Sequence, residues 1–237
     1  MLFVHKACRG LYLAFLGLTF AGTMNVELLN PLAEAYAERF SGVEDALLQE
    51  VAAYTYETHP RAHMLSGRVQ GKLLTMLSRM ISPSRILEIG TFTGYSALCM
   101  AKGLKADGLL YTIELREEDA LKAQGFFNKS AVKDRIKLQV GNALEIIPAL
   151  NESWDMVLLD ADKVNYINYY EIVLPQLKRG GFIIADNVLF HGQVLGEKPE
   201  GKNAKAIHAF NTHVKQDSRV EQVLLTVRDG LMLVMKK

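Results

Sequence analysis

A chain of 237 residues that is 49% hydrophobic and 22% charged has the size and composition of one globular domain with a sizeable core. Its 27 Lys and Arg against 26 Asp and Glu give a formal charge of +1, which leaves no global field for nucleic acid or an anionic membrane and makes a small molecule the default partner. Two cysteines, Cys8 and Cys99, exclude a disulfide framework, and no CxxC or Cys/His cluster points to zinc, in keeping with a reducing cytoplasm.

In chain order, the first feature is an apolar run at 11–24 (LYLAFLGLTFAGTM) behind His5, Lys6 and Arg9. It is shorter than the roughly 20 residues a helix needs to cross a bilayer, so no stable membrane span is expected. The run reads as a translated extension ahead of an alternative start at Met24, as a packing or membrane-touching helix, or as a signal-peptide core. Only the last would take the protein out of the cytoplasm. Residues 25–237 then make a single domain, because no repeat, low-complexity tract or Pro/Gly/Ser linker divides them.

From 25 to 80 the pattern is helical, with apolar residues at helical spacing in 43–56 and 69–80. After that the texture changes to short β-rich runs separated by polar, helix-like stretches: RILEIG (85–90), LLYTIEL (109–115), IKLQVG (136–141), MVLLDA (156–161) and GFIIADN (181–187). This alternation predicts an α/β fold with a doubly wound, mostly parallel sheet behind added N-terminal helices. A Gly-containing loop at 190–201 and a helix at 204–214 follow. The runs VEQVLLTV (220–227) and GLMLVMKK (230–237) flank Arg228-Asp229-Gly230, and the Asp-Gly step marks a C-terminal antiparallel hairpin.

Open parallel sheets bind ligands outside the carboxyl ends of their strands. The first strand-to-helix turn runs from Glu88 to Ser96, and Phe92 breaks the GxGxxG fingerprint, which counts against an NAD(P)-dependent oxidoreductase. Gly90 lets backbone approach a ligand, Gly94 starts the next helix tightly, and Glu88 places a carboxylate near a ligand amine; the plain alternative is a turn that serves geometry only. Glu114, at the end of the second strand, is placed to accept both hydroxyls of a ribose, so an adenosine-type ligand follows, unless this is a solvated strand-end acid. Small residues at Gly141 and Ala143 leave room for an adenine that Asn142 can bond, or simply make a turn.

The fourth strand ends in Asp160-Ala161-Asp162-Lys163 and the fifth in Asp186-Asn187. If these strands are neighbours, about 4.8 Å apart, Asp160, Asp186 and Asn187 converge as three oxygen ligands, a set that selects Mg²⁺, Ca²⁺ or Mn²⁺ over zinc. The competing role for each acid is to cap the following helix, and for Asp162 the two roles weigh equally. Two adjacent substrate oxygens on such a cation would have one hydroxyl made acidic, and Lys163 is placed to take its proton. Phe190 and Tyr166 either flank the acceptor ring or belong to the core.

The segments LEIGTFTGYSAL, LLDADKVNYINYY and GGFIIADNVLFHGQV resemble the cation-dependent caffeoyl-CoA and catechol O-methyltransferase group, over roughly residues 30–237. The resemblance implies a Rossmann-like class I methyltransferase with a seven-stranded sheet, S-adenosylmethionine as donor, a divalent cation and commonly a homodimer. It implies Asp160, Asp186 and Asn187 as metal ligands, with Asp160 also beside the donor, and Glu114 as the ribose acid. Glu88, Gly90, Thr91 and Ser96 fall at the methionine end of the donor, Met64 and Ser66 in a segment that covers it, and Ala143 against adenine. Asp162 and His191 fall where the plant enzymes contact substrate. The stretch SGRVQG (66–71) lacks the acidic pair usual in those enzymes, and His191 stands in place of their Asn. Both departures leave open which vicinal diol is the acceptor: caffeoyl-CoA, caffeic acid, a flavonoid or another catechol. The alternatives are an adenosine-binding sensor without turnover and an NAD(P)-dependent oxidoreductase; nucleic acid is disfavoured because no basic stripe with interleaved aromatics offers a backbone track.

Overall fold

The computed structural model describes residues 28–237, so the apolar run at 11–24 lies outside the described residues. Three helices, α1 (Pro31–Phe40), α2 (Ala46–Thr58) and α3 (Arg68–Ile81), precede the sheet. The first two start where a side chain satisfies an end amide: Asn30 accepts from the Leu32 N–H ahead of Pro31, and Asp45 accepts from the Leu48 N–H. Then come β1 (Arg85–Ile89), α4 (Tyr95–Ala101), β2 (Leu109–Glu114), α5 (Glu117–Phe127), β3 (Ile136–Val140), α6 (Ala143–Leu150) and β4 (Trp154–Leu159). The chain finishes with α7 (Tyr166–Val173), β5 (Leu177–Asp186), α8 (Lys202–Gln216), β6 (Val220–Leu225) and β7 (Leu231–Lys236).

The strands form one seven-stranded sheet in the order β3-β2-β1-β4-β5-β7-β6, as expected for this α/β class. The first five are parallel, and β7 is antiparallel to both β5 and β6. The hairpin therefore folds back so that its second strand, and not its first, joins the sheet. β5 also begins earlier than the apolar run at 181–187, since backbone pairing with β4 resumes at Leu177 after a slip in register.

Helices cover both faces, which explains why β1, β4 and β5 read as nearly unbroken apolar runs. On one face Leu87, Ile89, Val157, Leu159 and Ile183 pack against Ile147, Tyr170, Phe210 and Val214 from α6, α7 and α8. On the other, Ile86, Leu110, Met156 and Leu158 meet Val51, Leu74, Leu98 and Phe127 from α2 to α5. Each fully buried side chain of this size contributes roughly 1.5–3 kcal/mol. Against that background the buried polar residues Glu88, Thr112, Glu114 and Asp186 stand out, and all four lie on or at the ends of strands. Among the described residues no helix is long and apolar enough to cross a membrane.

Candidate active site

A cleft of about 1180 Å³ opens at the carboxyl ends of the strands and is lined by residues from the N-terminal helices, the strand ends and the β6–β7 turn. Met64, Ser66, Gly90, Thr91, Ser96, Glu114, Ala143, Asp160, Asp162, Lys163, Asp186, Asn187 and His191 all line it. Glu88 does not. It lies beneath the floor, fully buried, where its carboxyl accepts from Ser96 Oγ at 2.6 Å and Thr112 Oγ1 at 2.5 Å. Ser96 thus stands between Glu88 and the cleft. Burial pushes the Glu88 carboxyl up to about 8, with the two hydroxyls working in the opposite direction.

The turn after β1 is held from several sides. Glu114 accepts from the backbone N–H groups of Thr91 (3.2 Å), Phe92 (2.7 Å) and Arg116 (3.0 Å), so the acid at the end of β2 ties down the neighbouring loop. Gly90 lines the cleft and also has a use between the loops. At φ +98°, a Cβ there would sit 1.9 Å from the Asp160 carbonyl oxygen, so glycine lets the loops after β1 and β4 touch and brings Asp160 to the turn after β1. Phe92, at φ +51°, is met edge-on by His59 with ring centres 4.5 Å apart. The His59 Nδ1 accepts from the Arg61 N–H, so its Nε2 carries the proton that is donated to Asp119 at 3.0 Å. Thr55 Oγ1 bonds Thr93 Oγ1 at 2.9 Å. Thr55 on α2 and His59 just past its end are sequence-visible only as polar residues four apart, and they clamp this turn. Asn142 caps α6 by accepting from the Leu144 N–H, and both Asn142 and Ala143 line the cleft.

At the other half, β4 and β5 are neighbours with Leu159 opposite Ala185, which puts Asp160 and Asp186 side by side. Lys163 Nζ donates to Asp160 Oδ1 (3.0 Å), Asn187 Oδ1 (2.7 Å) and the Tyr166 hydroxyl (2.6 Å). Two of the three expected ligand oxygens thus point at one positive charge. Asp186 is buried, accepts from its neighbour's N–H at Asn187 (2.6 Å), and accepts from Gln70 Nε2 at 2.5 Å. Burial and then the Asp160 charge push the Asp186 carboxyl above its ordinary range. Gln70 was not read from the sequence; its only signal is a polar residue four before the buried Leu74 on the inward face of α3.

Tyr166 belongs to the core, with its ring against Phe210 and its hydroxyl donating to the Asp186 carbonyl at 2.9 Å, whereas Phe190 lines the cleft. Asp162 makes no helix-capping bond; it accepts from Asn165 and the Tyr169 hydroxyl at the cleft wall. His191 is exposed at the rim, and its N–H is held by Asp229. Away from the cleft, Glu171, His213 and Asp217 gather around Arg219, which donates to both carboxylates.

Comparison with known proteins agrees with this geometry. The family model described as O-methyltransferase matches residues 38–237. The catechol O-methyltransferase domain-containing protein 1 of Mus musculus is 32% identical over 87% of this chain and 80% of its own length. Caffeoyl-CoA O-methyltransferase 1 of Eucalyptus globulus is 34% identical over 78% of each. The S-adenosylhomocysteine-bound methyltransferase PaMTH1 of Podospora anserina superposes with a TM-score of 0.82 at 29% identity, over 93% of this chain and 100% of that one. With its sheet order, its strand-end acids and a family match over most of its length, the chain belongs to the O-methyltransferase family.

Proposed function

We propose that the protein transfers the methyl group of S-adenosylmethionine to one hydroxyl of a catechol-like small molecule, with a divalent cation held by Asp160, Asp186 and Asn187. The observation that carries this is the convergence of the Asp160 and Asn187 side-chain oxygens on one cationic nitrogen, beside a buried Asp186. An all-oxygen donor set without sulfur or imidazole fits Mg²⁺ first, with Mn²⁺ and Ca²⁺ of the same type. Bound there, the cation would orient two vicinal oxygens and make one of them more acidic. The donor supplies a methyl group on a positively charged sulfur, so the protein's task is alignment and proton removal.

With Asp160 and Asn187 facing a cation, Lys163 would be freed from both, and as the neutral amine, its own proton given up to solvent, it would accept the hydroxyl proton. Ser96, Glu114 and Ala143 hold the donor, Met64 and Ser66 cover it, and Phe190, His191 and Asp162 flank the acceptor. A homodimer accords with the uncovered apolar face where Met80 of α3 and Val223 of β6, 79% and 51% exposed, border a groove lined by Leu77, Phe182 and Leu233.

The test is methyl transfer from labelled S-adenosylmethionine to caffeic acid, caffeoyl-CoA and other catechols, with Mg²⁺ and with EDTA. Product that requires the metal supports the proposal. Donor binding without product across the panel leaves a binding protein in its place.

A further inference from the structure

Beyond the residues already placed around donor and acceptor, we infer that Arg228 is a positioning residue that straps the donor-covering segment to the catalytic end of the sheet. The inference rests on the donor role proposed for Met64 to Ser66. Arg228 sits in the turn between β6 and β7, which is fixed to the end of β5 by its backbone: the Val188 N–H donates to the Gly230 carbonyl at 3.1 Å and the Leu189 N–H to the Asp229 carbonyl at 2.9 Å. Gly230, at φ +84°, has no room for a side chain, since a Cβ would lie 2.6 Å from Leu189. The turn is therefore a fixed post on the strand that carries Asp186 and Asn187.

From that post the Arg228 guanidinium reaches across the cleft. Its Nη1 donates to the Leu65 carbonyl at 2.8 Å and also to the Ser66 carbonyl. Both acceptors lie on the segment that joins α2 to α3, and both residues line the cleft, as does Arg228 itself. These two carbonyls are not engaged in any other backbone hydrogen bond of the described residues, so Arg228 supplies their partner. A charged donor shared between two carbonyls is stronger than a neutral bond and fixes both positions at once.

The backbone gives a second, independent indication. Arg228 adopts φ +49°, a left-handed conformation that glycine enters freely and an arginine enters at a cost. A turn selected for folding alone would do better with glycine at this position. Among the described residues, the side-chain hydrogen bonds of Arg228 go to residues 65 and 66. Closing the cover against the same strand end that holds the acids couples donor retention to the acceptor half of the cleft.

The test compares wild type with Arg228→Gly and Arg228→Lys. Glycine removes the strap and also the backbone strain, so a loss cannot come from a spoiled turn. Three quantities are read: S-adenosylhomocysteine affinity by calorimetry, amide hydrogen exchange of residues 62–68 in the ligand-free protein, and the ligand-free melting temperature. Arg228→Gly is expected to weaken S-adenosylhomocysteine by about tenfold, to speed exchange at 62–68, and to melt no lower than wild type. In turnover the donor KM rises more than kcat falls. Arg228→Lys, keeping one charged donor, recovers part of the affinity. Wild-type affinity and wild-type exchange in Arg228→Gly would overturn the strap, as would a lowered melting temperature shared equally by both variants, which marks a role in folding only. A wild-type chain that binds no S-adenosylhomocysteine defeats the donor assignment instead, and exchange at 62–68 still decides whether Arg228 holds that segment.

Discussion

The strand-end group of Asp160, Asp186 and Asn187 and the surface group of Glu171, His213 and Asp217 each bring acids together beside a basic residue, yet the Asp186 carboxyl is shifted in the opposite direction from those of Glu171 and Asp217. On the surface, Arg219 donates to both Glu171 and Asp217 and His213 adds a further bond, and the guanidinium holds both carboxyls below their ordinary values. At the strand ends, Lys163 faces Asp160 and Asn187 while Asp186, buried, bonds only neutral groups and has its carboxyl pushed up by burial and by Asp160. On the surface both carboxyls bond the guanidinium directly. At the strand ends one buried carboxyl lies beside a second without bonding the lysine, a condition that a proton or a bound cation relieves. Acid clusters are common, and this difference in how the acids are satisfied separates a site from a surface network.

The comparison breaks most visibly under substitution of the acids. Asp160→Ala or Asp186→Ala is expected to lower methyl transfer on the order of 100- to 1000-fold, whereas Asp217→Ala is expected to leave it within about twofold, a change of the size usual for surface sites. Steady-state rates at saturating Mg²⁺ decide it, and a comparable loss in Asp217→Ala would erase the distinction. Next in size is Lys163→Ala, for which turnover should fall roughly 100-fold with donor affinity preserved. Lys163→Arg should not restore it, because a guanidinium does not give up its proton. Full turnover in either variant removes Lys163 as the base.

Two smaller effects sharpen the same contrast through pH. Glu88, ordinarily near 4.5, sits at about 8 in the folded chain, so between these values the native state keeps a proton that the unfolded state has released. Its contribution is complete below about pH 4.5 and is lost as pH rises through about 8. Urea midpoints should therefore decline from pH 5 to pH 8.5, and Glu88→Gln should flatten the decline; an unchanged slope contradicts the assignment. Asp217 and Glu171 behave in the reverse sense: their lowered values make a contribution present above about pH 4 that is lost on acidification. Because Arg219 is exposed, Arg219→Ala should cost below about 1 kcal/mol at pH 7, read from urea midpoints at pH 7, and less again at pH 3.

The sheet and its acids were legible because they break a simple pattern. Long apolar runs announced strands buried on both faces, and a carboxylate at the end of such a run has to be accounted for. The Asp-Gly step at 229–230 announced the hairpin. What stayed hidden depends on contacts across great sequence distance: Gln70 meets Asp186, His59 meets Asp119, and Arg228 meets Ser66. Spacing along a chain carries no information on how N-terminal helices register against strand ends, and a lone Gln on an amphipathic helix looks like solvated surface. Tyr166 illustrates the opposite difficulty. The sequence left open whether its ring faced the cleft or the core, and Phe210, contributed by α8, decides for the core. Gly90 was read as a place where backbone approaches a ligand, and its close packing against the Asp160 carbonyl was not read from the sequence.

The most direct test of the central claim is a Mn²⁺ titration, followed by water-proton relaxation, of wild type, Asp186→Ala and Asp217→Ala. If the strand ends hold the cation, wild type and Asp217→Ala bind one Mn²⁺ with the same affinity and Asp186→Ala loses it. A wild type without a bound ion, or a site that disappears with Asp217 and survives without Asp186, would contradict it.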